Sequence, residues 1–219
     1  MIQKDYFMRM IEQFAQALGL ILSNKKKERW KEMDENIAAT CEKLLGTNYQ
    51  MFRHVETEDL VALLRNGEFV DSGKAYVLAV LFTEEAEGLD LQNNEKAATS
   101  LFLKSATLFI EVVKTGNPTL VPLARLKIPP ILKRVEPVVW SVPFRLRLFQ
   151  YYESVGQFAN AENLLFDLAE ENVPGMAESG VLFYGRLQKK LNSELENGNL
   201  NRQEVDEGKT DFVQKFVRK

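Results

Sequence analysis

Six of the seven prolines fall in one window, at positions 118, 122, 129, 130, 137 and 143. An interior proline removes a backbone donor, clashes with the preceding turn and biases the residue before it toward extended backbone. One regular helix therefore cannot cross this window, and short helical pieces with extended joints are expected from 117 to 142. On either side the apolar residues recur every three or four positions, the period of an amphipathic helix. Strict strand-like alternation never lasts beyond about five residues. The chain is read as all-α with a proline-rich crossover.

Ahead of the window, an N-terminal helix pair (1–46) carries Phe7, Met10, Ile11, Phe14, Leu18, Ile21 and Leu22, then Trp30, Met33, Ile37, Cys41, Leu44 and Leu45. Ser23 and Asn24 mark the break between them, and Gly46 suits a helix stop. The central helices (57–116) comprise a short one from Thr57 to Gly67, a long one through the apolar run Ala75 to Phe82, and a third from Asn94 to Gly116. Beyond the window, TPR-like helices (143–194) are expected over Pro143–Val155, Phe158–Glu171 and Pro174–Leu195, the last with Leu182, Phe183, Leu187 and Leu191 as its stripe. Residues 1–194 are read as one domain. The polar stretch 195–219 is read as a tail, with a small cluster at Phe212, Val213, Phe216 and Val217 able to dock back.

The segment YYESVGQFANAENLLFDLAE places Tyr152, Gly156, Phe158, Ala161, Leu165 and Leu168 at the spacing of a two-helix repeat, with Pro174 where a next unit would begin. Gly156 permits a tight turn, Phe158 and Tyr152 fill the wedge, and Ala161 lets the backbones approach. This resembles a tetratricopeptide repeat, which implies a right-handed array of antiparallel helical hairpins that binds peptides along its inner face. Weaker echoes start at Trp30 and Glu95 without a fixed period, so the repeats are divergent. The N-terminal half, approximately Met1 to Val113, with MIQKDYFMRMIEQFAQALGLIL, ETEDLVALLRNGEF and EKAATSLFLKSATLFIEVV, resembles an uncharacterised family of Bacillus and related Firmicutes. That likeness implies a helical-repeat fold in a bacterial cytosol.

A net charge of -3 conceals opposite blocks: 11 acids against 5 bases from Gln50 to Val113, then 7 bases against 1 acid from Lys114 to Gln150. The two blocks are expected to satisfy one another in part. Overall acidity argues against a nucleic-acid binder. The apolar run Phe14 to Leu22 is too short for a membrane span and lacks a cleavage site, so a cytoplasmic protein is expected. Cys41, alone and on an apolar stripe, reads as core, and the single His54 as a surface or interhelical hydrogen-bonding residue. Glu84, Glu85 and Glu87 read as a solvated helix end or as partners of the basic window.

No catalytic residue, metal site or cofactor is expected. The reading is a non-catalytic protein-binding module whose partner is a protein or an acidic peptide, gripped by Arg145, Arg147, Gln150, Ser154, Tyr184 and Gln188. The proline-rich basic window is a second candidate surface. The alternative is a membrane-surface protein that uses the N-terminal amphipathic helix and the basic run Lys25 to Lys31. The same helix could instead form a homodimer contact.

Overall fold

The computed structural model describes residues 2–217, with side chains from residue 9 onward. Among the described residues there are twelve α-helices and one hairpin of two-residue strands, so the all-α expectation holds. The single domain expected over 1–194 is corrected: the chain forms two compact units, one reaching to Val139 and the other starting at Trp140. The boundary lies inside the proline window, where helical continuity is weakest.

The first unit contains α1 (Ile2–Lys26), α2 (Trp30–Leu45), α3 (Tyr49–His54), α4 (Thr57–Leu63), β1 (Arg65–Asn66), β2 (Phe69–Val70), α5 (Ser72–Leu91), α6 (Glu95–Lys114) and α7 (Leu120–Leu132). Its centre is α5, which packs against α1, α2, α6 and α7. Ala75, Val77, Leu78, Ala79, Leu81, Phe82 and Ala86 are wholly buried, as a helix that is apolar all round must be. Asp71 starts this helix by accepting from the backbone N–H groups of Gly73 and Lys74. Gly46 ends α2 with a left-handed φ of 72°, as its position suggested.

Cys41 lies in this core and donates to the carbonyl of Thr47 at 3.3 Å. Burial, and secondarily Glu42, push its thiol up to about 12. An aromatic disulfide reagent at pH 8 is therefore expected to label the native protein at least ~100-fold more slowly than the urea-unfolded chain, because only the thiolate reacts and the sulfur is enclosed. Equal labelling rates would contradict this burial.

Contrary to the crossover reading, much of 117–142 is the helix α7, with Pro129 and Pro130 inside it. Two circumstances permit this. Pro122 sits in the first turn, where backbone donors are unpaired anyway. Pro129 and Pro130 sit near the end on the solvent side, and the carbonyls they leave without a helical donor belong to Arg125 and Leu126, both exposed.

The second unit contains α8 (Val142–Ser154), α9 (Phe158–Glu170), α10 (Met176–Leu187), α11 (Asn192–Asn197), α12 (Arg202–Phe212) and a π-helical turn over Val213–Val217. The α8–α9 hairpin closes as the glycine spacing suggested. Gly156 has a φ of 78°, and the Gln157 N–H reaches back to the Tyr152 carbonyl at 2.8 Å. That pairing satisfies a carbonyl at the end of α8. Phe158, Ala161, Leu165 and Leu168 are buried along α9.

Two expectations for this unit are corrected. The helix expected over 174–195 ends at Leu187. Its inward residues are Met176, Gly180, Phe183, Tyr184 and Leu187, while Leu182 and Leu191 are exposed. The stretch 195–219, expected as a polar tail, carries α12; of its expected docking cluster, Phe212 is buried and packs against Phe166 and Phe216. Asn201 caps that helix reciprocally with Glu204, accepting from its N–H at 2.9 Å while the Asn201 N–H donates to the Glu204 carboxylate at 2.7 Å. Val205, Phe212 and Phe216 share one face at intervals of seven and four, few in number but in phase. Val205 and Phe212 are fully buried. Arg202 donates to the carbonyls of Gln188 and Lys190, closing the open end of α10.

Candidate functional site

The six residues expected to grip a peptide do not line an open groove. Arg145 donates both terminal nitrogens to the Glu171 carboxylate at 2.7 and 2.6 Å, which raises the guanidinium pKa and lowers that of Glu171. Arg147 is half-buried and also engaged. Gln150 and Ser154 are exposed, with the Ser154 hydroxyl donating to the Tyr151 carbonyl at 2.8 Å. Tyr184 is fully buried and donates to Glu162 at 2.6 Å; burial and that bond raise the phenol pKa. Gln188 donates to Asp206 and accepts from Lys209, both at 2.9 Å and both on α12. The inner face expected from the repeat likeness is thus corrected at Tyr184 and Gln188, which hold the chain's own α12. The cause is that helix's in-phase apolar face, which its polar average hides.

The three glutamates expected at a helix end lie within α5 instead. Glu84 and Glu87 accept from Lys25 of α1, the latter at 2.5 Å, and Glu85 accepts from Tyr49 and from the Arg53 Nε at 2.7 Å. Burial depresses the Lys25 ammonium, but its bonds to Glu84 and Glu87 outweigh that and leave its pKa raised. Burial first, then Glu85, push the Tyr49 phenol well above its ordinary value. Lys104 donates to the carbonyls of Arg53 and Val55 at 2.6 and 2.7 Å, capping α3, and burial lowers its pKa. These polar groups clasp helices together within the first unit. The membrane alternative loses Lys25 to this clasp, and Phe14 and Ile21 to the core. The same burial removes Phe14 and Ile21 from a homodimer contact, and the Phe7 side chain lies outside those described.

Glu84, Glu85 and Glu87 of the acidic block pair with Lys25, Tyr49 and Arg53, so the two blocks satisfy one another only in part, as where Lys114 meets Glu111 at 2.9 Å. Arg134 does reach Asp90 at 2.7 Å. The side chains of Arg125, Lys127 and Lys133 make no ion pair or hydrogen bond among the described residues. They sit on α7, whose inner side buries Leu120, Ala124, Ile128 and Ile131. Its outer side exposes Pro122, Leu123, Leu126, Pro129 and Pro130, with Leu126 at 74% of its full accessibility. At about 100° per residue these five fall within roughly 120° of arc. Arg125 flanks that arc on one side, Lys127 on the other, and Lys133 closes its end. Val138 and Val139, beyond the helix, are exposed as well. Sequence periodicity concealed this face because α7 is apolar on both sides.

Among the described residues, no group of three His, Cys, Asp or Glu could hold a metal ion, and no helix is long and apolar enough to cross a membrane. A family model described as a family of unknown function (DUF6483) matches residues 1–217. No curated protein matches the chain, and neither does any solved structure.

Proposed function

We propose that this chain, which belongs to the family of unknown function DUF6483, is a non-catalytic protein-binding module of the cytosol that receives its partner on the outer face of α7. The observation that carries this reading is the second apolar face of α7. A helix that has already buried one stripe in its own unit gains nothing from holding Leu123, Leu126 and three prolines in water, and a contiguous apolar strip rimmed by polar groups is how interaction sites are marked. A tetratricopeptide-like arrangement of α8, α9 and α10 belongs to the same reading. It is supported by the left-handed turn at Gly156 and by the buried Phe158 and Ala161 where the hairpin closes. In that arrangement α12 serves as the terminal cap that repeat stacks require.

A photo-crosslinking residue placed at Leu126 tests the reading in cells of the source organism. Illumination is expected to give discrete protein adducts from position 126 and none from the exposed control position Asn197. The same adducts from both positions, or none from 126, would remove α7 as a binding face.

A further inference from the structure

We infer that the outer face of α7 docks an amphipathic helix whose apolar stripe is bordered by acidic side chains; this rests on the protein-binding reading above and names the partner's chemistry. The face lies on a helix of thirteen residues, about 20 Å at 1.5 Å per residue, and its apolar residues run from Pro122 to Pro130, about 12 Å, the length that two to three turns of a second helix would cover. Its apolar residues project at i, i+4 and i+7 (Pro122, Leu126, Pro129), with Leu123 and Pro130 alongside, so a partner's leucines or phenylalanines at i, i+3 or i+4, and i+7 would interdigitate with them.

Charge decides the rest. Arg125 and Lys127 stand on opposite margins of the strip and Lys133 at its end. None of the three is committed to a carboxylate among the described residues. A partner helix with glutamates or aspartates on both shoulders would pair with them and break no bond already made. A basic or neutral helix would leave three cations beside a desolvating surface, which costs affinity.

Other occupants fit less well. A second copy of this chain presents exposed acids on α12, at Glu204, Asp206, Glu207 and Asp211, but the apolar side of that helix is spent on Val205 and Phe212. A lipid surface is usually engaged by a richer basic face and by aromatic anchors, and α7 offers two leucines, three prolines and no aromatic residue.

Fluorescence anisotropy with the full chain tests the partner's chemistry. Three labelled synthetic peptides of about eighteen residues, long enough for a marginal helix, are compared: one with leucines at helical spacing between glutamate shoulders, one with lysine shoulders, and one with the acidic composition scrambled. The acidic amphipathic peptide is expected to bind, and to weaken at least about 5-fold as sodium chloride rises from about 50 to 300 mM. Combined Arg125→Glu and Lys133→Glu should weaken it about 10-fold or more, as should Leu126→Asp, with helical circular dichroism unchanged. The scrambled and lysine peptides should bind about 10-fold more weakly than the acidic one. Equal binding of all three peptides, indifference to the charge reversal, or no binding would overturn the inference. So would sedimentation with phosphatidylglycerol vesicles that depends on the same residues in the absence of peptide binding. If adducts form at position 126 while the acidic peptide fails, the partner's chemistry alone is wrong; if no adducts form, the binding face itself is lost.

Discussion

Gly180→Ala is expected to destabilise the second unit by about 2 kcal/mol, whereas Gly185→Ala, five residues along the same helix, is expected to stabilise it by up to ~1 kcal/mol. A β-carbon at position 180 would lie 2.1, 2.3 and 2.8 Å from three carbons of the Phe212 ring. That ring cannot step aside. It is fully buried and held by Phe166 at a centroid distance of 5.3 Å, Phe216 at 4.9 Å and Tyr184 at 6.0 Å. The methyl group must therefore displace α12 itself. Position 185 has no neighbour within 4 Å, so there the methyl group brings only the helix propensity of alanine.

Two readouts separate local from global loss. Amide exchange in α12 should accelerate selectively in the Gly180 variant, and proteolysis should appear in the Asn197 to Asn201 connection. Trimming the obstacle should restore room, so Gly180→Ala combined with Phe212→Leu should cost less than the sum of the two single changes. A neutral Gly180→Ala would mean that α12 does not rest on α10 as described.

This crossing also explains what the sequence could and could not reveal. Features set by local chemistry were legible: the unbroken apolar run of α5 announced a central helix, and Gly46 and Gly156 marked turns that require positive φ. Features set by phase between distant segments were not. The inward stripe of α10 contains Gly180 and Tyr184, a residue without a side chain and one with a hydroxyl, so apolar type alone marks the buried Phe183 and Leu187 but also the exposed Leu182 and Leu191. The C-terminal segment averages as polar because only three apolar residues carry its docking face. The number of prolines does not reveal that Pro129 and Pro130 lie on the exposed side of α7, where a lost donor is cheap. Block charge counting failed at Glu84, Glu85 and Glu87 because their cations come from Lys25 and Arg53, far away in sequence. That same failure exposed the unpaired bases of α7.

The clasp at Lys25 gives the second large effect, since removing one member of a buried ion pair strands the other. Lys25→Met leaves the Glu84 carboxylate, whose side chain is 7% exposed, without its cation, and a loss of about 3 kcal/mol is expected at pH 7. Adding Glu84→Leu should recover most of that loss, because two apolar side chains replace a desolvated pair. Lys31→Met serves as the contrast. Its partner Glu35 lies 3.9 Å away, both side chains are largely in water, and no more than about 0.5 kcal/mol is at stake. The pH dependence follows from the direction of the shifts. Lys25 holds its proton more tightly in the folded state than in the unfolded chain, and so does Tyr49. The folded protein therefore binds more protons above roughly pH 10, and its stability falls with rising pH in that window. The contribution of Lys25 is complete below its unfolded pKa and is lost as pH climbs through the raised folded value. Urea midpoints measured from pH 8 to about 11 should fall less steeply for Lys25→Met than for wild type, with the residual slope belonging to Cys41, Tyr49 and Tyr184, whose folded pKa values are also raised, and opposed by Lys104, whose pKa is lowered. A wild-type midpoint flat across that range, or a double variant as unstable as Lys25→Met alone, would show that α1 and α5 are not joined through this lysine.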